Sequence, residues 1–388
     1  MKIHPLIGDT DTLAEFCARL AGADYVAVDT EFMRENNYWA DLCLVQLASP
    51  DEAAAIDPKA DGIDLAPLLD LLVSADVLKI FHAGGQDIEI IHNMTGKTPA
   101  PAFDTQVAAM ALGMGEQVSY INLVAAMTGA RLDKGARFTD WARRPLDKRQ
   151  LDYAIGDVTH LVELFPKLLQ RLKKTGRGEW LDEEMARLTD PANYVNDPQT
   201  AWLRIRPPSR KADVLGRLKA LAAWREVEAQ RRDLPRGRIV KDETLADIAA
   251  HPPKSQDALG HVRGLSKTWT TNDMGARLMD ALAGASPLPD AEIPDRDGGG
   301  PRLGSEATLV ADLLKLLLKI RCKEADVAPK LIGRSEHLEA LAAGARAGLP
   351  LLEGWRFDVF GRDALALVEG RLSFAVKNGK LLMTELSD

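Results

Sequence analysis

Eight residues, Tyr25-Val-Ala-Val-Asp-Thr-Glu-Phe32, constrain this chain more than any other stretch. Val26 and Val28 are β-branched, and polar Arg34, Glu35, Asn36 and Asn37 follow, which predicts a buried strand. Side chains alternate along a strand, so Asp29 and Glu31 share a face. Two carboxylates side by side at the end of a buried strand repel each other and are costly to desolvate. A divalent cation between them removes both penalties. Taken alone, the pair also fits a Glu31 that lies past the strand in water, so the rest of the chain has to decide.

The first 170 residues alternate between strand and helix patterns. Thr10 or Asp11 can cap a helix through about Leu20, and the strand 25–32 follows. Cys43-Leu-Val-Gln-Leu-Ala48 and Ala53-Ala-Ala-Ile-Asp57 read as further strands, with a helix over Leu65–Val73. Lys79-Ile-Phe-His-Ala83 reads as a buried strand that leads through Gly84-Gly85 into a helix. Three close strands and then alternation predict an α/β domain with a mixed sheet. From about Asp104 the pattern turns helical, and 146–174 carries an apolar stripe at 151, 154/155, 158, 161/162, 165 and 168/169.

At 388 residues the chain is too long for one ordinary domain. The expected division is an α/β domain over 1–200, a helical domain over 205–286, a Pro/Gly-rich linker over 287–304 and a mainly helical domain over 305–388. Basic turns after the first helix of each helical block suggest a diverged duplication. No run of 18 apolar residues occurs, so no membrane association is expected. Three scattered cysteines suit a reducing cytoplasm, and no feature demands an obligate protein partner.

Chemistry concentrates in five residues. Tyr153 and Asp157 lie four apart on the helix 146–174 and share a face with Gln150. Asp87 falls in the first turn of the helix after strand 79–83. Each has an ordinary structural reading, a core tyrosine or a first-turn acid. Four acids and a tyrosine drawn from one strand and two helices supply what a two-ion phosphoryl-transfer site needs, with the ions about 3.5–4 Å apart. Oxygen donors without a Cys/His cluster favour two Mg²⁺ or Mn²⁺ over zinc. A tyrosine, with its ordinary pKa of about 10, is suited to orient a water rather than to deprotonate it.

Asp29-Thr-Glu31, Asp87 and Tyr153-x-x-x-Asp157 match in order the three motifs of DEDD exonucleases, in the tyrosine-type branch. Cys43-Leu-Val-Gln-Leu-Ala, Phe81-His-Ala-Gly, Phe103-Asp-Thr-Gln, Leu132-Asp-Lys, Thr139-Asp-Trp and Arg144-Pro-Leu together resemble the ribonuclease D family. The resemblance implies a ribonuclease-H-like exonuclease domain followed by two HRDC-type helical domains. It implies metal-dependent 3′→5′ hydrolysis of RNA with a single-stranded 3′ end, releasing 5′-mononucleotides, in the maturation of tRNA precursors and other small stable RNAs. By the same resemblance Asp29, Glu31 and Asp157 hold the tighter ion and Asp29 bridges to the second. Asp87 acts mainly through metal-bound water, and Tyr153 positions the nucleophile. A non-catalytic RNA-binding scaffold and a DNA exonuclease are the competing functions.

The net charge of −8 does not preclude local basic surfaces. Residues 131–149 hold seven Lys/Arg against three Asp, with Phe138 and Trp141 among them. Residues 204–241 hold twelve Lys/Arg against four Asp/Glu, a pattern that equally fits a solvated helix face. Basic side chains track phosphates while aromatics stack on bases, so Lys134, Arg137 and Trp141 are the expected RNA contacts.

Overall fold

The structure is a computed structural model that describes residues 1–132, 135, 138–293 and 303–386. A six-stranded mixed sheet is built from β1 (Lys2–Ile3), β2 (Tyr25–Met33), β3 (Asp41–Ala48), β4 (Glu52–Ile56), β5 (Leu78–Phe81) and β6 (Ala102–Asp104). Its strand order is β1-β4-β3-β2-β5-β6, with β2 antiparallel to β3 and parallel to β5. Helices α1 (Thr10–Leu20), α2 (Ala66–Val73) and α3 (Gly85–Thr95) cover one face. The other face lies under α4 (Thr105–Ala111), α5 (Tyr120–Thr128) and α6 (Lys148–Thr175). The α1 cap is Asp9, whose carboxylate accepts from the Thr12 N–H at 2.9 Å, rather than Thr10 or Asp11.

Alternation along β2 sorts the layers. Val26 and Val28 join Val45, Leu47 and Ile56 against α1 and α2. The opposite face carries a cross-strand row of small residues, Ala27, Ala48 and Ala53, which lets α6 settle onto the sheet. Buried Ala154, Val158, Leu161, Phe165 and Leu168 form the helix face that meets it. Pro166 supplies no N–H, so the Val162 carbonyl lacks its helix donor, and the Tyr25 hydroxyl donates to it at 3.5 Å.

The second block contains α8 (Ala212–Arg232), α9 (Arg236–Ile239), α10 (Asp242–Ala250) and α11 (Asp273–Ala283), reached through α7 (Asp182–Leu188). It grips the loop after β2. The Asn37 amide and the Trp39 N–H each donate to the Asp233 carboxylate at 2.8 Å, and Tyr38 bonds Glu226. The third block comprises α12 (Ser305–Glu324), α13 (Pro329–Ile332), α14 (Ser335–Ala342) and a hairpin of β7 (Leu372–Lys377) with β8 (Lys380–Glu385). It packs on the first domain, where Trp355 stacks on Trp180 with centroids 4.1 Å apart.

The expected linker starts later than 287. Leu288 is 3% exposed and its N–H bonds the Ala212 carbonyl at 3.0 Å, so the packed second block runs on to Ile293. Positions 294–302 of the expected linker lie outside the described residues. Both helical blocks run long helix, left-handed aspartate (Asp233 at φ 50°, Asp326 at φ 49°), four-residue helix, then a helix of eight or nine residues. Among the described residues no helix is long and apolar enough to cross a membrane.

Candidate active site

The end of β2 presents Asp29 and Glu31 toward α6, and Asp157 descends from that helix. One carboxylate oxygen from each lies within 4.8 Å of the other two. Burial, and then the charges of Asp87, Asp157 and Glu31, push the Asp29 carboxyl well above its ordinary range. Three partly buried carboxylates crowded in this way form a hard-oxygen donor set suited to a small divalent cation.

Asp87 reaches the site by another route. It lies in the first turn of α3, on the sheet face opposite α6, and is 8% exposed. The Thr30 hydroxyl donates to its carboxylate, so the residue between Asp29 and Glu31 holds the fourth acid from the far side of the strand. Burial pushes the Asp87 carboxyl up to about 7 despite that hydrogen bond. Its carboxylate stands outside the set of three, near enough to shift Asp29.

Tyr153 sits one turn before Asp157 and its hydroxyl bonds that carboxylate. Burial and the neighbouring charges of Asp157, Glu31 and Asp29 raise its pKa, so the phenol keeps its proton and acts as a donor. The register of α6 is set by a capping box. The Asp147 carboxylate accepts from Gln150 N–H at 2.8 Å, and Gln150 Oε1 accepts from Asp147 N–H at 3.0 Å. Tyr120, from α5, donates its hydroxyl to the Asp157 carbonyl and so ties the ligand-bearing turn to a second helix.

The basic segment 131–149 divides by role. Arg144 is an anchor. It makes two 2.7 Å bonds to the Asp57 carboxylate and a 2.6 Å bond to the Cys43 carbonyl, beside the irregularity in the β2–β3 ladder. Arg144→Ala leaves a nearly buried carboxylate unpaired and frees the segment from the sheet. The expected cost is about 3 kcal/mol, with reduced turnover, checked by denaturant unfolding and a cleavage assay. Unchanged stability would contradict the anchoring role. Arg131, Lys148 and Arg149 instead line a cleft of about 480 Å³ whose floor includes Tyr153, Gly156 and Asp157.

Two expectations for RNA contact need separate treatment. Lys134 and Arg137 lie outside the described residues. Trp141 is 2% exposed and packs with Ala154 behind Tyr153, ring centroids 6.2 Å apart, so its faces are covered and it offers no stacking platform. Phe138, 91% exposed, is the aromatic that the segment presents. In the second basic stretch, Arg225 donates to the Val240 carbonyl and Asp242, and Arg236 pairs with Glu226 beneath Tyr38. Part of its charge therefore builds the domain and its docking.

Sequence reasoning missed Thr30, Tyr120 and Arg144 as supports of the site. Thr30 was legible as the residue pointing away from the acid pair, and Arg144 stood out in the phrase Arg144-Pro-Leu without its partner; nothing local marks Tyr120.

Residues 6–173 match the 3′-5′ exonuclease domain family, and residues 214–282 match the HRDC domain family. The chain is 69% identical over 385 residues to ribonuclease D of Sphingobium indicum, covering 99% of each. It is 60% identical to ribonuclease D of Zymomonas mobilis, again over 99% of each. Its fold is similar to the crystal structure of Escherichia coli RNase D, an exoribonuclease involved in structured RNA processing. That likeness has TM-score 0.77 at 27% identity and covers 95% of this chain and 99% of the other.

Proposed function

The chain belongs to the ribonuclease D family and is a 3′→5′ exoribonuclease, and we propose that Asp29, Glu31, Asp87, Tyr153 and Asp157 carry its chemistry. The observation that carries this reading is the convergence of three carboxylates within 4.8 Å beside a protonated tyrosine. Asp29, Glu31 and Asp157 would hold one divalent ion, and Asp29 would also serve a second. Asp87, held by Thr30 outside that set, would serve the second ion through water. Two Mg²⁺ or Mn²⁺ held by these residues would supply an activated water and charge stabilisation at the leaving 3′ oxygen.

The protein's own groups do the positioning. Tyr153 keeps its proton, donates it in a hydrogen bond to Asp157 and offers its oxygen lone pairs to the attacking water, fixing the line of attack. The wall of Arg131, Lys148 and Arg149 draws the phosphates of a single-stranded 3′ end across the acidic floor. Lys134 and Arg137 extend that path, and tRNA precursors are the proposed substrates. The reading places the enzyme in the cytoplasm, supported by three unpaired, buried cysteines. It also makes the third block a diverged HRDC-like domain, supported by the left-handed Asp233 and Asp326 that follow the long helices.

A single-stranded RNA carrying a 3′ label tests the activity. With Mg²⁺ the label appears first as a 5′-mononucleotide; retention of label at every divalent ion concentration would contradict the reading. Tyr153→Phe is expected to lower kcat by about 10²-fold and leave RNA affinity unchanged, measured by single-turnover cleavage and binding. A loss confined to affinity would reject the positioning role. Reversing the charge of both Lys134 and Arg137 should reduce the slope of log affinity against log salt by about 1.4. An unchanged slope puts the RNA path elsewhere.

A further inference from the structure

Gln46 lies on β3 directly opposite Asp29 in the antiparallel ladder. Cross-strand partners point to the same face with Cβ atoms about 4.5–5.5 Å apart. Gln46 therefore leaves the sheet beside Asp29, on the face covered by α6, without a hydrogen bond to its carboxylate. It is 0% exposed, and neither Nε2 nor Oε1 has a hydrogen-bond partner among the described residues. Its neighbours along β3 on this face are Leu44 and Ala48, and its partner on β4 is Ala55. These flanking positions offer no side-chain donor or acceptor. A buried amide unmatched at both ends weakens the fold, so its place next to the most crowded carboxylate calls for a function.

We infer that Gln46 is a positioning residue for Asp29. The reading rests on the proposal that Asp29 holds divalent ions. An ion-binding carboxylate has lone pairs that do not face the ion, and a neighbouring N–H that takes one of them fixes the carboxylate's rotation and favours its charged form. Gln46 Nε2 is the amide donor on the position opposite Asp29, and with an ion drawing the carboxylate into place it would take that lone pair. A carboxamide suits the position because it donates without adding a fourth negative charge to the site.

Gln46→Leu and Gln46→Met in the full chain test this, since both keep the volume and remove the amide. In EDTA the variants should melt at or above the wild-type temperature, because an unmatched buried polar group is gone. Titrated with Mn²⁺ alone and followed by melting temperature and calorimetry, they should need about 10–100-fold more ion to reach the midpoint. Wild-type protein with no response to Mn²⁺ would reject the ion-binding reading itself. A wild-type response with the same midpoint in both variants overturns the role of Gln46. Lower melting in EDTA with an unchanged midpoint does so too, since it marks Gln46 as a packing residue.

Discussion

Asp157→Asn, like Asp29→Asn, lowers kcat at least about 10³-fold, a loss of about 4 kcal/mol of transition-state stabilisation. Asparagine keeps the shape of the side chain and one acceptor for the Tyr153 hydroxyl, so α6 and its register stay in place. The missing element is a formal charge in a set whose oxygens lie within 4.8 Å of one another. In the absence of divalent ions that charge is unfavourable, because the three carboxylates repel. The same substitutions should therefore leave the EDTA melting temperature unchanged or raise it, a trade of stability against activity. Paired measurements of single-turnover rate and melting temperature check both halves. Near wild-type turnover in either variant would show that the carboxylates are wrongly assigned.

Removing divalent ions should make the protein less stable as pH rises from about 4 to about 7. The Asp87 carboxyl is raised from its ordinary 3.8 to about 7 by burial, and Asp29 is raised by burial and by the acids around it. A carboxyl raised in the folded state contributes stability that is complete below its unfolded pKa and lost as pH climbs through the folded one. At about 1.4 kcal/mol for each pH unit, Asp87 alone accounts for a few kcal/mol. Carboxylates lowered by arginine partners oppose this only in strong acid; Glu228, bonded by Arg231, Arg277 and Arg232, sits at about 2. Above pH 5 they contribute no slope; His82 and His337, held below their ordinary pKa by burial, oppose the loss as they deprotonate and reduce the fall. Divalent ions at 100 times their dissociation constant return about 2.7 kcal/mol, so Mg²⁺ should raise the melting temperature more at pH 8 than at pH 5. Asp87→Asn should flatten the EDTA profile. An EDTA profile that rises over this window in the wild-type chain would contradict the account.

Periodicity made the centre of the site readable. Period two put Asp29 and Glu31 on one face of β2, and period 3.6 put Tyr153 and Asp157 on one face of α6, as the structure has them. The partners of the supports were not readable, because each contact joins distant parts of the chain. Thr30 meets Asp87 across 57 residues, Tyr120 meets the Asp157 carbonyl across 37, and Arg144 meets Asp57 across 87. Trp141 shows the limit in another way. An aromatic in a basic segment has the same local signature whether it stacks on a base or backs a tyrosine, and only the packing of α6 decides. The arginines of α8 and α9 behave alike. A run of positive charge in sequence became ion pairs with Glu226 and Glu228 once the helices folded. β1 and β6, two and three residues long, carry too few side chains to show alternation.

The central claim is that Asp29, Glu31 and Asp157 share a divalent ion. Crystals soaked in Mn²⁺ with a short RNA test it through anomalous scattering. The account predicts one peak bounded by Asp29, Glu31 and Asp157, and a second beside Asp29 on the side of Asp87. An ion-saturated crystal with no peak within about 2.5 Å of those three carboxylates would contradict it.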